Sequence, residues 1–185
     1  MTIAPRPNTQ AWKQSPGFIQ GHEGEQRVRA LLQRLNYYVI PSYDYTGTND
    51  NKAPKLHGAL QQYVIPDLDT SHLRNGRAWI EVKTYTEPTL YRKANELQHG
   101  ILKRHWDDYR KVERITRTPV LICIYEMNTQ DILIASQLEL IPFAEWREDK
   151  RGKGGQYYFP RNLMSVLANM RDYPDLLAER LAVDS

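Results

Sequence analysis

Two stretches decide the fold, Ile65-Pro66-Asp67-Leu68-Asp69 and Trp79-Ile80-Glu81-Val82-Lys83, and the interval between them is the size of a hairpin. Both combine apolar residues with acidic ones, and Lys83 follows Glu81 by two positions. Alternate side chains of a strand point to opposite faces, so Glu81 and Lys83 share a face. Carboxylates and an ammonium that converge at the end of a sheet can bind a hard cation beside a charge that holds or activates a nucleophile. These groups are the requirements of metal-assisted phosphodiester hydrolysis.

The turn between the two stretches fixes which acids can meet. Asn75-Gly76 predicts a tight hairpin, because both residue types tolerate positive φ. A two-residue loop there places Asp67 on the face away from Glu81. A three-residue loop with its glycine left-handed places Asp69 opposite Glu81 and Asp67 opposite Lys83. A metal site therefore predicts an odd loop or a bulge, and the sequence leaves both registers open.

The spacing of these residues resembles a known signature. Pro66-Asp67, thirteen intervening residues and Glu81-Val82-Lys83 are similar to the motif of the PD-(D/E)XK nuclease superfamily, the restriction-endonuclease-like fold. The resemblance covers roughly residues 17 to 140. It implies an α/β fold with an αβββαβ core, in which helices flank a mixed central sheet and an extra strand and helices follow at the C-terminus.

The resemblance also implies roles for the residues of the motif. Asp67 and Glu81 are the expected metal ligands, with the backbone carbonyl of Val82 as a further one and Asp69 in reserve; the expected cofactor is Mg²⁺ or Mn²⁺. Lys83 is expected to orient or deprotonate the attacking water, or to stabilise charge at the phosphorus. The alternatives without a metal are a turn hydrogen bond for Asp67 and an ion pair between Glu81 and Lys83.

A helix is predicted before the motif, from about Gly21 or Glu23 to Leu35. Its apolar residues follow helical spacing: Val28, Leu31, Leu32 and Leu35. Glu25 borders this apolar stripe, whereas Glu23 turns away from it. The family often places a helix glutamate beside the metals, so the resemblance implies Glu25 as a further catalytic residue. The alternative is a first-turn acid that interacts with the helix dipole.

The remaining elements follow from periodicity and turn signals. We predict a loose arm over residues 1–16 and a single domain over 17–185, with the core at 17–140 and an extension at 141–185. The polar stretch 42–56 is long enough to suggest a substrate flap. The predicted elements are strands at 37–40, 119–126, 132–137 and 156–160, a hairpin over 62–84, a main helix over 91–115 that is interrupted near Gly100, and helices at 162–170 and 174–181.

Positive charge is concentrated in one segment. Residues 91–117 contain eight basic and four acidic side chains, a net +4, whereas the whole chain carries +3. A basic helix after an acidic site favours a polyanionic substrate, although a solvated helix face with i,i+4 ion pairs gives the same pattern. His105 and Tyr109 either contact substrate phosphate or pack against the sheet. The candidate nucleic-acid contacts are Lys103, Arg104, His105, Tyr109 and Arg110.

Composition limits the class of protein. A chain of 185 residues with 41% hydrophobic content suits one domain with an ordinary core. No apolar run approaches 18 residues and no signal-peptide pattern opens the chain, so neither a membrane nor export is expected. Cys123 is the sole cysteine, which rules out an internal disulfide, and its apolar surroundings predict a core thiol. A cytoplasmic location is expected.

The predicted function is metal-dependent hydrolysis of nucleic acid, with DNA favoured over RNA by the resemblance. One alternative is a non-catalytic or partner-activated nucleic-acid-binding module on the same fold. Another is a small α/β interaction domain whose strand acids form surface ion pairs. Cutting both strands of a duplex with one site per chain would call for a homodimer, and the requirement for a protein partner stays open.

Overall fold

A computed structural model describes residues 15–42, 54–148 and 154–178. The predicted arm lies outside these residues except for Ser15 and Pro16, which begin the first helix. Most of the predicted flap and residues 149–153 also lie outside them. None of the helices in the described ranges is long and apolar enough to cross a membrane.

The first helix, α1, spans Pro16–Arg34 and starts earlier than predicted. The Ser15 side chain accepts a hydrogen bond from the backbone N–H of Phe18, and Pro16 occupies the first turn, where its missing N–H costs nothing. Burial begins only at Gly24, so the apolar period marks the packed part of α1 and misses its exposed first turns. Asn36, at a φ of 64°, follows the end of the helix.

A mixed six-stranded sheet forms the centre of the molecule, in the order β1-β4-β5-β8-β9-β12. Its central pair, β5 and β8, is parallel, and every other neighbouring pair is antiparallel. The bounds are β1 Tyr38–Pro41, β4 Leu68–His72, β5 Gly76–Tyr85, β8 Val120–Glu126, β9 Asp131–Ser136 and β12 Ser165–Asn169. With α1 and the helix before β8, the strands β1, β4, β5 and β8 make the predicted αβββαβ order, so the predicted fold class is confirmed.

The predicted main helix is wrong over its first half. A hairpin of β6 (Thr89–Tyr91) and β7 (Glu96–Leu102) occupies it, and the helix, α2, spans Lys103–Thr116. Asn95, at a φ of 49°, closes the hairpin, and Gly100 lies buried in β7. The sequence signal failed because β7 is held by partners distant in sequence. Its sheet has the order β10-β11-β7-β6, with β10 at Glu145–Arg147 and β11 at Gln156–Pro160.

The C-terminal extension contains more strand than predicted. The strand at 156–160 is confirmed as β11, whereas the helix predicted at 162–170 is wrong. A 3₁₀ turn, Arg161–Leu163, is followed there by β12, because the open edge of β9 supplies hydrogen-bond partners that local sequence does not reveal. The remaining elements are a β2–β3 hairpin (Lys55–His57 and Gln62–Val64), α3 (Gln137–Leu140), 3₁₀ turns at Ile141–Phe143 and Met170–Asp172, and α4 (Asp175–Ala178).

Two apolar layers sandwich the central sheet. Under α1, residues such as Leu31 pack against Val82 and Cys123, and under α2, Trp106 packs against residues such as Ile122. Cys123 is fully buried, which confirms the predicted core thiol, and this burial raises the pKa of the thiol to about 12. The parallel pair at the centre thus has a helix on each face.

Candidate active site

The hairpin that carries the motif has an odd loop. His72 is the register partner of Gly76, so residues 73–75 form a three-residue connection between β4 and β5. Gly76 has a φ of 75°, a left-handed conformation that glycine adopts without steric cost. The expectation of an odd loop is therefore confirmed, and the odd-numbered residues of both strands lie on one face.

The predicted face of each residue is correct, but the pairing of β4 with β5 is shifted by two residues from the predicted register. Asp69 lies opposite Trp79, not opposite Glu81, because the loop is one residue earlier than predicted and ends before its glycine. Extending the same register one step beyond the start of β4 sets Asp67, rather than Asp69, beside Glu81. Asp69 instead forms a two-point ion pair with Arg77, at 2.9 and 2.7 Å. The structure thus brings Asp67 to the centre and directs Asp69 elsewhere.

Asp67 is held at the point where β4 begins to pair with β5. Its side chain is 6% exposed, and Oδ2 accepts a hydrogen bond of 2.8 Å from the backbone N–H of Val82. Its carbonyl accepts another, of 2.7 Å, from the N–H of Ser42 after β1. These two bonds fix the residue between neighbouring strands, where it interacts with the charges of Glu81 and Lys83.

Glu81 is fully buried in the middle of β5. Its Oε1 forms an ion pair with the ammonium of Lys83, whose Nζ also lies 3.3 Å from the carbonyl oxygen of Val82. Oε2 accepts no hydrogen bond from the residues that the structure describes. A positive charge therefore lies against the Glu81 carboxylate and the Val82 carbonyl, two of the oxygens expected as metal ligands.

The electrostatics of the site leave an excess of negative charge. Burial, and then the proximity of Glu81 and Glu25, raise the pKa of Asp67 well above its usual range, against the opposing effect of Lys83. Burial acts to lower the pKa of Lys83, but the carboxylates of Glu81 and Asp67 outweigh it and raise that pKa. The carboxylates of Asp67 and Glu81 thus lie near one ammonium, with Glu25 near Asp67, and a divalent cation would offset the repulsion between the carboxylates.

The donor set fits a hard cation that keeps part of its water shell. Within the described ranges, no group of three or more His, Cys, Asp or Glu side chains is arranged around one metal position. Two carboxylates and one backbone carbonyl remain, from Asp67, Glu81 and Val82. Mg²⁺ is commonly bound in this way, by one or two carboxylates with water and substrate oxygens completing its shell.

Glu25 reaches the site because α1 lies close against the end of β5. Gly24 is buried in direct contact with Thr84, one residue beyond Lys83. This contact brings the neighbouring Glu25 close enough to raise the pKa of Asp67. Gly24 was not identified from the sequence, although a glycine inside a helix, where it costs about 1 kcal/mol relative to alanine, was an available signal.

The candidate residues on α2 are dispersed. Burial lowers the pKa of His105, Glu81 raises it and Lys83 lowers it further, so His105 lies within electrostatic range of these two residues. Tyr109 is buried, and its hydroxyl lies 3.4 Å from Nδ1 of His105. Of the residues predicted on α2, the structure thus brings His105 into electrostatic range of Glu81 and Lys83, with Tyr109 beside it.

The cationic candidates on α2 point elsewhere. Lys103 forms an ion pair with Asp107 one turn later, whereas Arg104 and Arg110 are exposed. The helix face that carries them differs from the face of His105. These residues therefore do not line the centre formed by the strand residues.

Two further contacts near the site were missed by sequence reasoning. The hydroxyl of Tyr85, two residues after Lys83 on the same face, donates a hydrogen bond to the carbonyl of Gly100 and joins β5 to the second sheet. The buried Glu126, beside Tyr85 in the register of β8, accepts hydrogen bonds from Arg161 and lies 2.7 Å from Nε2 of His99. No local signal links these residues, because they come from four separate segments.

Comparison with known proteins places the fold. No family model and no curated protein sequence matches the chain. Among solved structures, Hjc, a Holliday junction resolvase from Archaeoglobus fulgidus, is similar at a TM-score of 0.49 and 11% identity, over 77% of this chain and 90% of that one. D212, a nuclease from a fusselovirus, is similar at a TM-score of 0.50 and 15% identity, over 85% of this chain and 91% of that one. At such identities a likeness shows the fold alone, and the fold of this chain is the restriction-endonuclease-like fold.

Proposed function

We propose that this protein hydrolyses phosphodiester bonds of nucleic acid with Mg²⁺ or Mn²⁺, and that DNA is its preferred substrate. The observation that carries the proposal is the convergence of Asp67, Glu81 and Lys83 beside the second half of β5, with carboxylates in excess. A purely structural role would not account for buried acids that repel one another and retain an oxygen without a hydrogen-bond donor.

The residues of the site would have different roles in hydrolysis. Asp67, Glu81 and the Val82 carbonyl would hold the cation, which polarises the phosphate and stabilises the leaving oxygen when bound. The raised pKa of Lys83 keeps its ammonium protonated at neutral pH. Lys83 is therefore suited to orient the attacking water and to stabilise charge at the phosphorus, and less suited to remove a proton.

Residues at the border of the site would position the substrate. Glu25 would contact the cation through water, since its carboxylate is close enough to affect Asp67. His105, supported by Tyr109, would contact a phosphate oxygen near Lys83. Lys103, Arg104 and Arg110 would add contacts to the backbone outside the centre.

DNA is favoured over RNA by the resemblance of the motif, and D212, which shares the fold, is a nuclease. The form of the cleaved plasmid, nicked or linear, would show whether one site or two act together. One active site per chain nicks one strand, so direct conversion of a plasmid to linear duplex would indicate a homodimer or a protein partner, whereas nicking alone fits a monomer.

The test is cleavage of supercoiled plasmid and of single-stranded DNA in Mg²⁺, in Mn²⁺ and in chelator. Lys83→Ala should abolish the metal-dependent activity. Lys55→Ala, which removes an exposed ammonium from β2, should retain it and serves as the control. Absence of cleavage in either metal, together with retained DNA binding, would replace the proposal with a non-catalytic or partner-activated binding module.

A further inference from the structure

A second cationic feature lies at the far end of α2. An open groove of about 510 Å³ lies between the C-terminal half of α2, the start of β8 and helix α3. It is lined by Arg110, Glu113, Arg114, Arg117, Pro119 and Leu138. A groove of this volume falls within the size range of ligand sites.

The charge of the groove is not neutralised by the protein. Arg110 and Arg114 are spaced i and i+4 on α2, and Arg117 follows as its left-handed C-cap residue. These three residues are the arginine stripe, and all three are exposed. None of them forms an ion pair with another residue in the parts of the chain that the structure describes. The one acid of the lining, Glu113, accepts a hydrogen bond of 3.2 Å from the backbone N–H of Val120. Three guanidinium groups are therefore exposed to solvent, and the one carboxylate of the lining is already hydrogen-bonded to the backbone.

The groove is separate from the cleavage centre. His105 and Tyr109 turn towards the sheet, whereas the arginine stripe lies on the solvent side of the same helix. Between His105 and Thr116, the last residue of α2, the helix rises by about 16 Å, at roughly 1.5 Å per residue. A ligand in the groove would thus contact the protein well beyond the atoms that react.

We propose that this arginine groove binds the phosphate backbone of nucleic acid at a second position, remote from the cleavage centre. The identity of the polyanion rests on the proposed function, whereas the groove itself does not. Guanidinium groups match phosphate oxygens in a two-point geometry, and three of them in a row match a repeating anion. Pro119 and Leu138 supply apolar walls against which sugar rings pack. Favourable interaction with the helix dipole explains arginines in the last turn but not Arg110, which lies two turns earlier.

The test measures binding of a duplex by the Lys83→Ala protein, so that cleavage does not interfere. The groove variant combines Arg110→Gln, Arg114→Gln and Arg117→Asn. Asparagine is chosen at the last position because Arg117 has a φ of 54°, which asparagine tolerates. The control variant, Arg34→Gln with Arg74→Gln and Arg92→Gln, removes the same charge from exposed positions, one of them also at a helix C-terminus.

The readout is the dependence of log Kd on log salt concentration, by fluorescence anisotropy. Each lost phosphate contact lowers the slope by about 0.9, so the groove variant should lose about 2 to 3 and the control much less. Equal losses in the two variants would overturn the inference, as would an unchanged slope in the groove variant. Arg114→Gln alone should lose about 1, and it provides the measurement if the triple variant does not fold.

Two further results separate the possibilities. The first uses polyglutamate as a competitor of the duplex. If polyglutamate displaces the duplex equally well from wild type and from the groove variant, the result supports the groove as a nucleic-acid site. If it competes at the wild-type groove selectively, the groove would be assigned to an acidic protein and the inference overturned. Cleavage by the unmodified protein is scored separately, so a failed nuclease assay alongside a changed salt slope rejects the proposed function alone.

Discussion

Gly24 of α1 lies so near Thr84 of β5 that a β-carbon on the glycine would be 1.8 Å from Oγ1 of Thr84. No real β-carbon contact is that short, so only glycine allows α1 to approach β5 here. The position of Glu25 relative to Asp67 depends on this contact. A stability measurement can therefore test the architecture of the site without a substrate.

We expect Gly24→Ala to lower the free energy of unfolding by about 1–3 kcal/mol, because the added methyl group forces α1 away from β5. Thr84→Ala should restore much of the loss, since its β-carbon alone lies 3.1 Å from the new methyl position. Urea denaturation of both single variants and the double variant measures the coupling. Strictly additive effects would mean that the two residues do not constrain each other.

Asp67→Asn should stabilise the protein in the absence of divalent cations. The raised pKa of Asp67 means that its ionised form is less favourable in the folded state than in the unfolded one, so the charge costs stability at neutral pH. Asparagine keeps an oxygen that can accept the Val82 N–H. Thermal denaturation with and without Mg²⁺ checks this: wild type should gain about 2.7 kcal/mol at 100 times the Kd, and the variant much less. A variant that is destabilised without Mg²⁺ would contradict the electrostatic account.

Asp69→Asn separates an ion-pair partner from a metal ligand. The carboxylate of Asp69 is occupied by Arg77, so the variant should lose at most about 1 kcal/mol of stability, as is usual for partly exposed pairs. Its melting temperature should rise with Mg²⁺ as much as that of wild type. A smaller rise of the melting temperature with Mg²⁺ in Asp69→Asn would show that Asp69 is a metal ligand after all.

Acid should weaken the network of His99, Glu126 and Arg161. Burial lowers the pKa of His99, so the unfolded state binds its proton first and stability falls as the pH drops below the ordinary value of 6.5. Burial acts to raise the pKa of Glu126, but Arg161 and His99 outweigh it and lower that pKa. The stability from Glu126 is therefore present above its ordinary value of 4.5 and is lost as the pH falls further.

Urea denaturation between pH 7 and about pH 3 tests this network. Glu126→Gln should cost about 1–3 kcal/mol at pH 7, because it leaves His99 and Arg161 without their charged acceptor. It should also flatten the loss of stability below pH 4.5. A variant that loses stability with pH as steeply as wild type would show that other carboxylates govern the acid response.

The sequence revealed the αβββαβ core because its signals are local. Alternation over β5, the Asn75-Gly76 turn and the apolar run of β8 each lie within ten residues or fewer. The strands β7 and β12 were missed because partners far away in the sequence, β11 and β9, determine them. Tertiary pairing overrode the helical pattern in both segments.

The candidate site shows the same division. Glu81 and Lys83 follow from the two-residue period of one strand, so they could be paired from the sequence. The choice between Asp67 and Asp69 depended on where a three-residue loop begins, and the sequence left that position open. Gly24 acts through a contact that joins a helix to a strand sixty residues away; a glycine within a helix marks the position, but local sequence does not identify Thr84 as its partner.

The connection at residues 73–75 places a constraint on how the length of this chain can vary. Removing or adding one residue there would turn every side chain of β4 to the opposite layer, so that Asp67 would leave Glu81 and Leu68 would leave the apolar layer under α1. Removing or adding two residues would keep both in their layers. Active relatives of this protein should therefore differ in the length of this turn by even numbers, because an odd change would move the site residues to the wrong face of the sheet.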